Sequence, residues 1–456
     1  MSISRFLSVV EAGRRLVIEL PWATTDPAEF AESLGITSIG AVRWWLEYRG
    51  EVVQTDVIGS ARIEVDLSGR PPGAYVFRLS VAKREIWRQQ VWCTPTVSKS
   101  PAEIDALARK YAPVLLFSSV EEYFPVSLHT LVEAPAVRAS DDTISVDSVT
   151  GELDVPLSEL SAFLRFNGNS EYLLNQSAFD AEKVFDEVRG DFRNSVVYYS
   201  WIDDPASGRG FLNFHTFYAF DPKTGIAKML GIGPHVFDRE SLTFVFGPDG
   251  KPESLVLSGH LENQRILFFD SLLSWTEGRV RMPFPDPRVA AVGGHPVVPV
   301  AEGSHAFYPA PGLYHISVLT ELAGHIFGSL VAMLGIDHSA TESLADHQVL
   351  LPPELVSARF ASYELRPLRL DLLRSEPLPP QPLYDPASAA LVFSGYWVDV
   401  PGFQNERFPP FSSRETDPWA WAEGAHAWDW DLLPAAVLDH NQGLSTLIAT
   451  EVRDES

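Results

Sequence analysis

The chain has 456 residues, 45% hydrophobic and 11% aromatic, which is enough apolar material for two or three filled cores. Its formal net charge of −25 argues against nucleic-acid backbones and anionic membrane surfaces as charge-driven partners, and is compatible with cation binding. The single cysteine, Cys93, excludes an intrachain disulfide framework, and no stretch reaches the ~18 uncharged apolar residues of a membrane-spanning helix.

Met1 to Leu20 carries Arg5, Glu11, Arg14, Arg15 and Glu19 with no continuous apolar run, so no signal peptide is expected and the cytoplasm is the default location. Residues 1–96 then read as a small all-β module. Val42 to Tyr48 is a strand candidate, and Arg49-Gly50 turns into Glu51 to Gln54. Ala61 to Leu67 alternates with period two, Pro71-Pro72-Gly73 turns into the alternating Tyr75 to Val81, and Ile86 to Trp92 closes the series. Short, evenly spaced strands with Gly/Pro turns predict a sandwich of the immunoglobulin or fibronectin kind, an accessory module that positions or docks something. Thr94 to Ser100 is the linker.

The second unit, 97–456, opens on a helix start. Ser100 is placed as N-cap, Pro101 at N1 and Glu103 at N3, with the helix running to Lys110. Tyr111 to Phe117 follows. Helices are expected at Leu157 to Leu164 and Ala178 to Val188. Strands are expected at Ser195–Trp201, Gly210–Ala219, Ser241–Phe246, Ser254–Ser258 and Pro296–Val300. The segment Ile316 to Leu334 is apolar on more than one face, which predicts a helix packed on a sheet. The tail beyond about 365 is rich in Pro and Trp. The fold class is therefore mainly β: an N-terminal immunoglobulin-like sandwich, then a larger β-sandwich decorated with helices.

Chemistry concentrates at His235-Val236-Phe237-Asp238-Arg239-Glu240. One imidazole and two carboxylates within six residues suit a divalent cation better than a hydrophobic core, because an unpaired buried carboxylate is costly and a cation removes the cost. Asp238 and Glu240 are two apart, so on an extended segment they leave the same face. His235, read as part of the preceding loop, can fold over it. Further fragments lie nearby: Tyr111-Ala112-Pro113 with Glu121-Glu122-Tyr123-Phe124-Pro125, Phe214 to Lys223, Leu257-Ser258-Gly259-His260, and Gly303-Ser304-His305-Ala306-Phe307-Tyr308-Pro309.

In this order the fragments resemble the Vps62-like (vacuolar protein sorting-associated 62-like) family, whose motifs read Tyr-Ala-Pro … Glu-x-Tyr-Phe-Pro, His-x-x-Asp-Trp-Glu, Ser-x-His and Gly-Ser-His-Ala-x-Tyr-Pro. More distantly the centre is similar to the NPP1-type necrosis-inducing proteins, whose heptapeptide is Gly-His-Arg-His-Asp-Trp-Glu. The resemblance covers roughly 110 to 315. It implies a divalent-cation site with ligand roles for His235, Asp238 and Glu240, and with Asp221 matching an upstream aspartate. His260 and His305 would sit on the rim, and His235, His260 and His305 are the candidates for catalytic roles. Phe237 replaces the second histidine of the heptapeptide, and Arg239 replaces its tryptophan.

Carboxylates with one imidazole suit Ca²⁺, Mg²⁺ or Mn²⁺; a second histidine would move the set toward Zn²⁺. Several residues have plain alternatives. His215 reads as core, Tyr218 and Tyr308 as packing or binding, and His305 as a hydrogen-bond donor rather than a ligand. Ser304 lacks a nucleophile elbow. The leading expectation is a metal-dependent enzyme, a hydrolase or lyase, acting on a small molecule or a glycan or lipid head group. The alternatives are cation-assisted binding of such a head group, or an interaction protein with a structural metal. Neither substrate nor oligomeric state is legible.

Overall fold

In the computed structural model, the described residues are 8–12, 15–19, 42–48, 51–57, 62–67, 70, 73–81, 84–93, 95–132, 138–140, 143–148, 151–156, 188–221, 235–259, 279–311, 313–315, 341–343, 348–356, 360–368 and short pieces between 422 and 450. The protein is mainly β. The expected helices at 157–164 and 316–334 lie outside the described residues, as do most of the one at 178–188, His260 and the tail tryptophans.

Before residue 94 the strands are β1 (Ser8–Ala12), β2 (Arg15–Glu19), β3 (Val42–Tyr48), β4 (Glu51–Val57), β5 (Arg62–Asp66), β6 (Gly73–Val81) and β7 (Arg84–Cys93). They form two antiparallel sheets, β1-β2-β5 and β4-β3-β6-β7. Period-two alternation does this work. In β5, Ile63 and Val65 are buried while Arg62, Glu64 and Asp66 face water. Leu16, Ile18, Trp44, Leu46, Val65 and Phe77, drawn from both sheets, close one core.

Helix α1 (Pro101–Tyr111) forms as its capping signal requires. The Ser100 hydroxyl accepts the Glu103 N–H and the Glu103 carboxylate accepts the Ser100 N–H. Its buried residues, Ile104, Ala108 and Tyr111, join the main core. Next come β8 (Val114–Phe117), α2 (Leu128–Val132) and a small three-stranded sheet of β9 (Arg138–Ser140), β10 (Thr143–Ser148) and β11 (Gly151–Pro156).

The main body uses β12 (Ser195–Asp204), β13 (Arg209–Asp221), β14 (His235–Phe246), β15 (Pro252–Ser258), β16 (Arg279–Pro283), β17 (Ala291–Val292) and β18 (His295–Pro299). After these come β19 (Leu313–His315), which pairs with β20 (Thr341–Ser343), then β21 (Gln348–Leu351), β22 (Ala361–Pro367) and β23 (His426–Ala427). The sequence suggests a larger sandwich here; the structure shows eleven strands in one sheet, ordered β17-β18-β8-β21-β22-β12-β13-β14-β15-β16-β23. The sheet curls so that strands far apart in it share a core. Leu115 and Val298 cluster with Phe244, Leu255 and Val280. The Phe307 N–H, just past β18, bonds to the Ser258 carbonyl at the end of β15 (2.7 Å).

Gly210 on β13 shows how tightly this body is packed. A Cβ there would meet the Trp201 ring at 2.1 Å. Gly210→Ala should therefore cost about 1–3 kcal/mol through overpacking, checked by urea unfolding; an unchanged midpoint would show that the ring can move aside.

Candidate functional site

The site lies on the β13–β14 ladder. Its register runs unbroken from Gly210↔Phe246 to Asp221↔His235, placing Thr216 opposite Glu240 and Tyr218 opposite Asp238. Alternation puts Thr216, Tyr218, Asp238 and Glu240 on the face that carries Phe214, Leu242 and Phe244 into the core. Asp238 is 7% exposed and Glu240 6%. Two carboxylates are thus buried side by side at the end of an apolar stripe.

Strand β14 starts earlier than expected. Asp221 and His235 stand opposite each other at the end of the ladder, so His235 belongs to the strand and not to a loop. His235 stands three positions before Asp238, which gives the Asp221–His235 pair register positions of the other parity. Arg239 is also turned away from the carboxylates. Its Nη2 lies 3.2 Å from His215 Nδ1, and the guanidinium sits 5.9 Å from the Phe217 ring centre. A guanidinium only donates, so His215 Nδ1 accepts and Nε2 carries the ring proton, facing Ser200 Oγ at 3.4 Å. His215 is wholly buried, as a core residue should be.

His305 reaches the carboxylates from the tight turn after β18. Ala301 N–H bonds to the Ala306 carbonyl and His305 N–H to the Ala301 carbonyl; Gly303 and His305 take positive φ values of 75° and 57°. The His305 ring is fully buried, and its Nδ1 donates to Asp238 Oδ2 at 2.8 Å. It stacks face to face on Tyr218, with centroids 3.8 Å apart and planes 3° apart. On its other side, Nε2 faces Glu121 Oε1 at 3.6 Å, an ionic contact longer than a hydrogen bond.

Glu121 comes from the loop after β8 and is almost completely enclosed. Its Oε1 accepts the N–H groups of Glu122 (3.0 Å) and Tyr123 (2.9 Å), and its Oε2 accepts that of Gly303 (2.9 Å). Burial alone would push the His305 pKa down; the hydrogen bonds and charges of Asp238 and Glu121 more than offset this and hold it at about 10. Burial would likewise raise Glu121, but His305 and the Gly303 and Tyr123 amides bring it below the usual carboxylate range. At neutral pH the ring is an imidazolium between two carboxylates.

Glu240 has its own partner. Ser258 Oγ accepts the Ser241 N–H at 2.8 Å and donates to Glu240 Oε2. Two further polar groups share this face: the hydroxyls of Tyr218 and Thr216 are buried and interact with each other, but neither makes a well-formed hydrogen bond among the described residues. Burial raises the Tyr218 pKa well above the ordinary phenol value; the neighbouring Thr216 hydroxyl pulls it down, and the charges of Asp238, Glu240 and Glu121 push it up further.

The structure thus joins Asp238, Glu240 and His305 of the six residues nominated from sequence. It places Asp221 and His235 at the end of the same ladder; His260 lies outside the described residues. It adds Glu121, Ser258, Tyr218 and Thr216. Glu121 and Ser258 each stood in a recognised fragment, yet nothing local in those fragments showed what they meet. Among the described residues, no three His, Cys, Asp or Glu side chains are arranged to hold a metal by themselves. His305, with one ring nitrogen donating and the other facing a carboxylate, is a donor and not a ligand. What remains is an all-oxygen donor set.

Neither a family profile nor a curated protein matches the chain. Among solved structures it is similar to a necrosis and ethylene inducing protein 2 from the causal agent of cocoa's witches' broom disease. The identity is 15% over 47% of this chain and 69% of that one, with a TM-score of 0.22. A second, described as a toxin fold for microbial attack and plant defense, shares 15% identity over 47% of this chain and 71% of its own, with a TM-score of 0.24.

Proposed function

We propose that the protein is a divalent-cation-dependent enzyme of hydrolytic type, acting on a small molecule or on a glycan or lipid head group. The observation that carries this reading is the pair of buried carboxylates, Asp238 and Glu240, facing two buried hydroxyls, Thr216 and Tyr218, that make no well-formed hydrogen bond among the described residues. His305 partners Asp238 and Ser258 partners Glu240, yet two adjacent buried carboxylates still repel each other, and a buried hydroxyl left unpaired costs about 1–3 kcal/mol. A hard cation that keeps several of its waters meets both needs, and such ions are held by one or two protein carboxylates. Asp238 and Glu240 would hold it. The oxygen donors favour Mg²⁺, Mn²⁺ or Ca²⁺ over Zn²⁺.

A cation there supplies electrostatic polarisation of a substrate oxygen and a lowered pKa for bound water. The chain's own groups do the rest. His305 fixes Asp238 through Nδ1–H, and Ser258 fixes Glu240. The Tyr218 ring holds the imidazolium in plane, and its hydroxyl, neutral at working pH, is a donor available to a bound oxygen. The ordered Tyr-Ala-Pro, Ser-x-His and Gly-Ser-His fragments, resembling the Vps62-like family, support the same grouping.

The test is direct. Full-length protein equilibrated with Mn²⁺ should bind it stoichiometrically. Asp238→Asn and Glu240→Gln should each weaken binding at least tenfold, and hydrolysis of a panel of ester, phosphoester and glycoside substrates should require both the cation and Asp238. No Mn²⁺ binding by the wild type overturns the proposal. A second reading is favoured by the low exposure of both carboxylates: a cation that braces the sheet. Stoichiometric Mn²⁺ binding that raises the Tm without any hydrolysis would select it.

A further inference from the structure

Glu121 has a task in this arrangement that is not ligation. It approaches the site from the loop after β8, while Asp238 stands on β14, and the His305 ring lies between them. Both Glu121 oxygens are engaged: Oε1 takes two backbone N–H groups and faces the ring, and Oε2 takes the Gly303 N–H. The same carboxylate therefore grips the ring and the backbone of the turn that carries it. The grip falls on the one described residue other than glycine with a positive φ, His305 at 57°. With Tyr218 stacked on one face, the ring has no freedom left, and its Nδ1–H is aimed at Asp238 Oδ2.

We propose that Glu121 is a positioning residue of the cation site: acting through His305, it fixes the Asp238 carboxylate on β14. This rests on the reading of Asp238 and Glu240 as cation ligands. Glu121 steadies the ring, the ring steadies Asp238, and Asp238 meets the cation with a side chain already in place. Preorganisation of this kind, supplied by groups that never touch the ion, commonly sets affinity by factors of ten to a hundred.

Two readouts on the full chain test it. In the first, Mn²⁺ alone is titrated. Glu121→Gln, which keeps the shape and removes the charge, should weaken Mn²⁺ binding at least tenfold. His305→Asn, chosen because Asn tolerates the positive φ, should do so to a similar extent. The double variant should bind no more weakly than His305→Asn alone; losses that multiply mean Glu121 acts independently, and overturn the proposal. In the second, metal-free protein is unfolded in urea. Glu121→Gln and Asp238→Asn should be energetically coupled while His305 is present and uncoupled in the His305→Asn background. Additivity with His305 in place also overturns it. If Gln at position 121 prevents folding, Glu121→Asp, which keeps the charge and withdraws it from the ring, replaces it in both cycles. A wild type that binds no Mn²⁺ defeats the cation reading, and the metal-free cycle then decides the positioning role by itself.

Discussion

Replacing Asp238 by alanine should destabilise the main body by about 3–5 kcal/mol in metal-free buffer, the cost of leaving one partner of a buried ion pair behind. The stranded group is His305, fully buried and held by Asp238 at 2.8 Å. Glu121 alone, 3.6 Å from the other ring nitrogen, cannot replace that hydrogen bond. Asp238→Asn keeps the volume and an acceptor oxygen, so its cost should be smaller, about 1–3 kcal/mol. Urea unfolding in the presence of a chelator measures both. A loss under about 1 kcal/mol for the alanine variant would mean that His305 and Asp238 do not form the pair described.

The second large effect is a pH dependence on the alkaline side. His305 has an ordinary pKa of 6.5 and sits at about 10 in the fold, so the folded state binds the extra proton between those values. Its stabilisation is fully present below pH 6.5 and is lost as pH rises through about 10. The slope it adds is at most about 1.4 kcal/mol per pH unit. Glu121 acts at the other end: held below its ordinary value, it contributes stability that is present above pH 4.5 and is lost as the pH falls further. Metal-free unfolding followed from pH 6.5 to 10 should show wild-type stability declining steadily. His305→Asn should remove most of that decline. An identical slope in both proteins would show that the ring is not the group titrating.

Where sequence and structure agree, the signal is short-range. Ser100, Pro101 and Glu103 specify the start of α1 within four residues, and the alternation of Arg62 to Asp66 specifies which side of β5 is buried. The shared face of Asp238 and Glu240 follows from spacing alone. Where they differ, the deciding contact is remote. From sequence His235 reads as part of the preceding loop, but pairing with the long β13 extends the strand back to it. The single curled sheet is illegible because β8 is flanked by β18 and β21, far downstream in the chain. Glu121 reads as an ordinary acidic loop residue until the turn at 303–305 is brought against it.

The position of β8 also bears on how the protein is made. Val114–Phe117 is four buried apolar residues whose backbone partners are Val297–Pro299 on one side and Gln348–Leu350 on the other. Ribosomes add about 5–20 residues per second, so this strand emerges on the order of 10 s or more before either neighbour exists. During that interval the nascent chain offers an unsatisfied, hydrophobic strand to whatever is nearby, including other copies of itself. Yield in a heterologous host should therefore respond more to holdase chaperones and slower growth temperature than the stability of the finished protein would suggest.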